Sequence, residues 1–244
     1  AAIAPTDPAV TFSVLGGREI RGRAGTILEG EAGTNDPVGI ALMIGMIELA
    51  TEEDAGFGVV VEEFVLEMAI GLAIGVAGAL LLLPVMRSVR LPSPALYPLR
   101  VLAGAGLIYG LASVAHGSGF LAVFVAGVLL GDVAAPRKGE IESFHSSLSA
   151  LAQIGAFAAL GLSVGYSDLD EASVWLEGLA LAILLAFVIR PLAIAPLLAP
   201  VRLNRGERLF VLWGGLKGAV PILLGSLAVL EGVDESARIY GIIF

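Results

Sequence analysis

The 244-residue chain contains no cysteine, only two histidines and few charged residues. Without cysteine there is neither a disulfide framework nor a thiolate metal site, and two isolated histidines do not make a metal site. Charged residues make up 15% of the chain, against roughly a quarter in soluble domains. In their place the chain is apolar, with 57% hydrophobic residues and a mean hydropathy of +0.91. The composition therefore indicates an integral membrane protein.

Several functional classes lack their usual sequence features. There is no nucleophile with a base and an orienting residue and no nucleotide-binding glycine loop, so neither enzymatic activity nor a cofactor is expected. The formal net charge is −9, and nucleic acid is not an expected partner. No signal peptide is visible. The chain begins at Ala1 without an initiator methionine and ends at Phe244 in an apolar run, so both ends are expected to be truncated.

Apolar segments separated by polar breaks predict an all-α, polytopic helix bundle that forms one transmembrane domain over residues 1–244. About 30 Å of hydrocarbon requires roughly 20 helical residues. The predicted spans are 25–50, 59–85, 95–115, 118–131, 145–165, 173–198 and 207–230, with partial spans at 1–16 and 236–244. The span 118–131 is shorter than the bilayer requires, so it is either extended by its flanks or partly buried.

The charges of successive polar breaks alternate in sign, which predicts the orientation of the chain. Basic breaks are expected in the cytoplasm and acidic ones outside. The basic breaks carry Arg18, Arg21 and Arg23, then Arg87 and Arg90, then Arg137 and Lys138, then Arg202, Arg205 and Arg208. The outward breaks are 52–54, the turn 116–119, 168–171 and 234–235. One missed helix would disrupt this alternation, so it supports the number of crossings.

Asp36 lies near the middle of the predicted span 25–50. A carboxylate at that depth costs several kcal/mol unless it faces protein or water, so Asp36 is a candidate functional residue. Glu31 and Asn35 are four residues apart and share a helix face, whereas Asp36 points about 100° further round. Pro37 removes a backbone donor immediately beyond Asp36. A purely structural ion pair is the alternative role for both Asp36 and Glu31.

Two further motifs carry polar residues into apolar surroundings. In Thr6-Asp7-Pro8, proline disfavours helix at the preceding residue. The triplet is therefore either an interrupted membrane helix that lines a cavity or a helix cap at the membrane surface. Lys217 lies in the apolar span 207–230 and needs a carboxylate or a wet cavity, with Glu31 as the expected partner. Arg190 is a second intramembrane cation, expected to extend toward the cytoplasmic interface.

These residues lie in three ordered motifs that resemble the signatures of the NhaP-type monovalent cation:proton antiporters, especially the potassium/proton, cell-volume-regulation branch. The motifs are Thr6-Asp7-Pro8, the segment 31–37 (EAGTNDP) and the segment 215–221 (GLKGAVP). The resemblance implies an inverted-repeat antiporter fold, in which interrupted helices cross near the midplane beside a dimerisation bundle. It also implies that the full-length protein is a homodimer in a bacterial plasma membrane, the inner membrane.

The resemblance also implies a role for each site residue. Asp36 would bind the cation or the proton in turn, and Thr6 and Asp7 would line the crossing, with the cation held at Asp36 and Asp7. Asn35 stands where electrogenic relatives have a second aspartate, which implies electroneutral one-for-one exchange. Glu31 would pair with the basic residue of the third motif, here Lys217.

Two positions depart from the family pattern. Ala32 stands where relatives commonly have a serine, so the cation is expected to use Thr34, a backbone carbonyl or water instead. Lys217 replaces an arginine, which keeps the charge and loses the bidentate fork.

The expected function is exchange of K⁺ or Na⁺ for H⁺ across a lipid bilayer, by competition at Asp36 and alternating access. A cation channel without obligatory proton coupling is the alternative from another class. A third possibility is that the chain is a non-functional piece of a larger transporter.

Overall fold

The computed structural model describes residues 1–7, 10–11, 23–51, 56–163 and 172–244. Throughout these ranges the secondary structure is helical and contains no strand. The helices are α1 (Arg23–Thr51), α2 (Phe57–Ser88), α3 (Leu96–Val114), α4 (Gly119–Gly131), α5 (Lys138–Ser163), α6 (Ala172–Leu184), a π-helical turn (Leu185–Ile189), α7 (Arg190–Leu198), α8 (Arg205–Trp213), α9 (Ala219–Leu230) and α10 (Ser236–Ile243). The predicted all-α fold class is confirmed.

Some predicted features fall outside the described residues. These are Pro8 of the first motif, most of the second half of the partial span 1–16, the basic residues Arg18 and Arg21, and the outward breaks 52–54 and 168–171.

Four helices in the described part of the chain are long and apolar enough to cross a membrane, judged by length and composition. They are Phe57–Ser88, Leu96–Val114, Lys138–Leu162 and Ser173–Leu198. Helices α4 and α9 are apolar but shorter. Helix α1 has 29 residues, enough to span, but Glu29, Glu31 and Asp36 make it more polar than the other four.

Helix α5 begins at Lys138, seven residues before the predicted span 145–165. Its first turns are polar but are good helix formers, with ion pairs from Arg137 to Glu140 at 2.7 Å and from Lys138 to Glu142 at 3.7 Å. The apolar run shows where a bilayer can begin, whereas helix formation depends on backbone hydrogen bonds that polar residues also allow.

The predicted span 207–230 is two helices rather than one. Helix α8 starts with a capping box in which Asn204 and Glu207 exchange backbone hydrogen bonds of 2.8 Å, and it ends at Trp213. Helix α9 begins at Ala219, so the glycine-rich segment 214–218 is not helical. Helix α1, by contrast, continues through Pro37 without a break.

Contacts between residues divide the chain into two compact units. The single transmembrane domain expected from the sequence stays a prediction. The unit Asp54–Ala158 has an alanine-rich core formed by Ala79, Ile108, Ala112, Ala122 and Ala126.

The other unit comprises Ala1–Glu53 and Ala159–Phe244 and contains all three motifs. In its core, Met43 and Ile47 of α1 pack against Leu224 and Ala228 of α9. A second cluster joins α1 to α7 and α8 through Leu28, Leu198 and Val211. Helix α1 therefore packs against the helices on both sides of the non-helical segment 214–218, α8 before it and α9 after it.

Candidate functional site

Two non-helical segments, 1–7 and 214–218, meet in the unit that carries the motifs. The backbone N–H of Asp7 donates to the carbonyl of Leu216 at 2.8 Å. The ammonium of Lys217 donates to the carbonyls of Ala4 at 3.2 Å and Pro5 at 3.1 Å. Because neither segment is helical, these backbone groups are free to bond between segments.

Thr11, which follows the segment 1–7 in the chain, forms a further bond to the segment 214–218, and sequence reasoning missed it. Its side chain is 3% exposed, and its hydroxyl donates to the carbonyl of Gly214 at 2.7 Å. That carbonyl lies just beyond the end of α8, where helix carbonyls lack intrahelical partners. A threonine in an apolar run is too common in membrane helices to have been noticed from sequence.

Thr6 contacts two candidate site residues on α1. The amide Nδ2 of Asn35 donates to Thr6 Oγ1 at 2.7 Å, and the Thr6 backbone N–H donates to Asn35 Oδ1 at 3.3 Å. The Thr6 hydroxyl in turn donates to Glu31 Oε1 at 3.5 Å. One residue of the first motif therefore holds the α1 face that Glu31 and Asn35 share.

The carboxylate of Glu31 is bound by Arg190. Nη1 lies 2.6 Å from Oε1 and Nη2 lies 3.0 Å from Oε2, and the two side chains are only 13% and 16% exposed. Arg190 also donates from Nε to the carbonyl of Leu212 and from Nη2 to that of Val211, both at 2.9 Å. These carbonyls belong to the last turn of α8, so the guanidinium binds both a carboxylate and a helix C-terminus.

This pairing corrects the expected partner of Glu31. The sequence predicts Lys217, but within the described residues the ion pair of Glu31 is with Arg190, and Lys217 bonds to carbonyls instead. Arg190, expected to extend toward the cytoplasmic interface, instead directs its guanidinium to Glu31 and to the last turn of α8. An intramembrane cation needs a partner, and this requirement holds for Arg190 as much as for Lys217.

Two glycines of the third motif leave room for charged side chains. A Cβ on Gly215 would collide with the guanidinium of Arg190, and a Cβ on Gly218 would collide with the carboxylate of Asp7. Gly218 also caps the N-terminus of α9. The Asp7 carboxylate therefore lies at the positive end of a helix dipole, where a negative charge is favoured.

Asp36 is the third carboxylate of the site. Its Oδ1 atom is buried, and no described residue makes a hydrogen bond to it. Asp36 interacts electrostatically with Asp7 and Lys217, so it belongs to the same cluster. Thr34 is not turned toward it, because the Thr34 hydroxyl donates to its own helix at Gly30 (2.8 Å) and Glu31 (2.9 Å).

A cavity of about 620 Å³ lies beside these residues, within the same unit. Its walls are mainly aliphatic side chains from α6, the π-helical turn, α7 and α10, and its polar wall is formed by Glu31, Asn35, Arg190 and Lys217. The π-helical turn directly precedes Arg190. Such turns shift the register of a helix and occur frequently at functional sites.

A non-helical break between α8 and α9 that carries a charged side chain, within a set of membrane-length helices, is typical of a multi-pass membrane protein. The chain belongs to the sodium/hydrogen exchanger family: the family model described as "Sodium/hydrogen exchanger, transmembrane" matches residues 1–244. The expected family resemblance is confirmed.

Relatives of known name match the whole chain. It is 33% identical over 247 residues to the K⁺/H⁺ antiporter NhaP2 of Shewanella sp. strain ANA-3, and 35% identical over 246 residues to the K⁺/H⁺ antiporter NhaP of Alkalimonas amylolytica. Both matches cover 100% of this chain, which spans 42% of the length of each relative.

A solved structure has the same fold. The sodium proton antiporter MjNhaP1 of Methanocaldococcus jannaschii superposes with a TM-score of 0.77 at 24% identity, over 99% of this chain and 65% of that one. This likeness confirms the predicted antiporter fold.

Proposed function

We propose that the full-length protein is a secondary active transporter that exchanges a monovalent cation, K⁺ or Na⁺, for H⁺. Family membership and the antiporter names of the relatives support this activity. The observation that carries the proposal for this chain is the buried Oδ1 of Asp36, which no described residue binds, in a cluster where the other charges have partners or compensating neighbours.

The charge balance of the cluster supports one-for-one exchange. It contains the carboxylates of Asp7, Glu31 and Asp36 and the cations Arg190 and Lys217. Glu31 and Arg190 neutralise each other in their bidentate pair. Lys217 offsets one of the two aspartates, so one negative charge remains, and either one proton or one monovalent cation balances it.

The mechanism follows from competition at Asp36. A proton and a cation cannot occupy the same carboxylate together, so binding of one releases the other. Asp7 and the crossing backbone would provide further oxygen atoms for the cation. Alternating access then carries either the loaded or the protonated site across the bilayer, as in transporters with sites at interrupted helices.

The family resemblance supports the proposed physiological setting. We expect the full-length protein to be a homodimer in the bacterial plasma membrane. The lipid bilayer is its solvent, and K⁺ or Na⁺ and H⁺ are its substrates.

Proton movement in proteoliposomes that contain the full-length protein tests the proposal. K⁺ or Na⁺ is added in turn to the wild type, to Asp36→Asn and to the control Asp132→Asn, whose carboxylate is exposed at the end of α4. We expect cation-triggered proton release from the wild type and the control and none from Asp36→Asn. Cation flux without coupled proton movement would instead identify a channel.

A further inference from the structure

Thr11 lies one helical turn after Asp7 in the chain, and Val10 and Thr11 are helical. The backbone N–H of Thr11 donates to the carbonyl of Asp7 at 3.4 Å, across the four-residue spacing of an α-helical hydrogen bond. The side chain of Thr11 is 3% exposed. A displacement of Thr11 is therefore passed through the backbone to Asp7.

Two hydrogen bonds attach the backbone of this stretch to the non-helical segment 214–218. The Asp7 N–H donates to the carbonyl of Leu216 at 2.8 Å, and the Thr11 hydroxyl donates to the carbonyl of Gly214 at 2.7 Å. A single bond would leave the chain free to rotate about that contact. Because the two bonds are one helical turn apart, together they fix the direction of the backbone that carries the Asp7 carboxylate.

The chain is attached on both sides of Asp7 by side chains of different kinds. Before Asp7, the ammonium of Lys217 holds the carbonyls of Ala4 and Pro5. After Asp7, the hydroxyl of Thr11 provides the attachment. Loss of the Thr11 bond therefore frees one side of Asp7 and leaves the other side in place.

The position of the Asp7 carboxylate has narrow limits. The carboxylate lies so close to Gly218 that a Cβ there would collide with it, and Asp36 interacts electrostatically with Asp7. A rotation of the backbone at Asp7 would push the carboxylate into the start of α9 or move it away from Asp36. Groups that bind an ion together must keep their mutual geometry, and small displacements weaken binding.

We propose that Thr11 is a positioning residue for cation binding, because its hydrogen bond to Gly214 holds the Asp7 carboxylate where it can share a cation with Asp36. The inference rests on the proposed cation exchange and deepens it by assigning a role to a residue outside the three motifs. In this role Thr11 touches neither the cation nor the proton and acts through Asp7.

A bond with a purely structural role would have a different effect. Its loss would lower the stability of the fold, and the protein that remained folded would have an unchanged KM for the cation. Loss of a positioning bond instead raises the KM of folded protein. The maximal rate at saturating cation is kept, because alternating access does not depend on how tightly Asp7 holds the ion.

The test measures the KM for K⁺ and for Na⁺ and the maximal rate in proteoliposomes of the full-length protein, with proton release as the signal. Equal amounts of folded protein, selected by gel filtration in detergent, are reconstituted. Thr11→Val keeps the shape and removes the donor, Thr11→Cys offers a weaker S–H donor, and Thr11→Ser keeps the hydroxyl. The control is Thr51→Val, whose hydroxyl bonds within its own helix at Ile47.

Thr11→Val should raise the KM for the exchanged cation about tenfold, the effect of one hydrogen bond, and change the maximal rate less than about twofold. Thr11→Cys should raise the KM about threefold, because a thiol is the weaker donor. Thr11→Ser and Thr51→Val should keep the KM within about twofold of the wild type.

Two outcomes would overturn the positioning role. One is a wild-type KM in folded Thr11→Val or Thr11→Cys, which would make the bond structural only. The other is a KM in Thr11→Ser as high as in Thr11→Cys, because the hydroxyl would then not be the group that matters. If Thr11→Val does not fold, Thr11→Cys and Thr11→Ser decide by the same criteria. Failure of the proposed function is distinguishable, because the wild type would then show no cation-triggered proton release with either ion.

Discussion

Arg190 binds both carboxylate oxygens of Glu31, with N–O distances of 2.6 and 3.0 Å, across 159 positions of sequence. The same guanidinium also donates hydrogen bonds to the carbonyls of Val211 and Leu212 in the last turn of α8. One side chain thus joins α1 and α7 to the end of α8, where the interruption at 214–218 begins. The pair neutralises two charges of the cluster, whose other carboxylates are Asp7 and Asp36.

Replacing Arg190 should destabilise the protein strongly. Arg190→Gln leaves the buried Glu31 charge without its partner, and the expected cost is about 3–5 kcal/mol in the free energy of unfolding. Arg238→Gln is the matched control, because its ion pair with Glu177 is about half exposed, and surface pairs contribute about 0–1 kcal/mol. Unfolding in mixed micelles measures both, and equal losses for the two variants would contradict a special role for Arg190.

Removing the charges of Glu31 and Arg190 together should lower the free energy of unfolding by less than the sum of the two single changes. Glu31→Gln with Arg190→Gln leaves no buried unpaired charge, so its destabilisation should fall below the sum of the single variants by about 1–3 kcal/mol. The same unfolding assay, applied to the wild type, both single variants and the double variant, completes this double-mutant cycle. Additive values would mean that the bidentate contact contributes no coupling energy.

Adding a methyl group at Gly218 should abolish exchange. The new Cβ would collide with the Asp7 carboxylate, so either Asp7 or the start of α9 must move. Gly155→Ala is the control, because a Cβ at this position of α5 meets nothing within 4 Å. Transport in proteoliposomes is compared at equal protein content, and wild-type activity in Gly218→Ala would refute the close approach of Asp7.

The hydrogen bond from Thr11 should contribute to stability. Thr11→Val keeps the shape and removes the donor, which leaves the buried carbonyl of Gly214 unsatisfied at a cost of about 1–3 kcal/mol. Thr51→Val removes a hydroxyl bonded within its own exposed helix end, at Ile47, and should change stability by less than about 0.5 kcal/mol. Thermal unfolding in detergent distinguishes the two, and similar shifts would argue against the bond between segments.

Competition at Asp36 predicts the sign of the pH dependence. As pH falls, protons occupy the carboxylate more often, so the KM for the cation should rise, by up to about tenfold per pH unit, while the maximal rate at saturating cation changes little. Initial rates of proton release across a pH series measure both quantities. A KM that is independent of pH would mean that cation and proton use separate groups.

The sequence predicts much of the local structure correctly. Most helices begin and end within a few residues of the predicted spans, because apolar runs and polar breaks are local signals. The start of α5 at Lys138 is the largest difference, because polar residues extend a helix beyond its apolar part. The hydropathy pattern predicts one continuous span over 207–230, and the interruption at 214–218, where the glycines at 214, 215 and 218 lie, was not predicted for this span.

Contacts between distant segments could not be predicted from the sequence. Thr6 contacts Asn35 and Glu31, which share one face of α1. The hydrogen bond from Thr11 to Gly214 joins residues 203 positions apart, and no local sequence pattern indicates it. The same holds for Asp7, whose carboxylate lies against Gly218 at the start of α9.

The sequence by itself determined the class of this protein: a polytopic α-helical membrane chain with three acidic or basic motifs in apolar surroundings, because hydropathy, proline and glycine act locally. The tertiary structure decided which cation neutralises Glu31. Lys217 and Arg190 both satisfy the requirement that a buried charge needs a partner, and only the folded arrangement places the guanidinium against the carboxylate and the ammonium against backbone carbonyls.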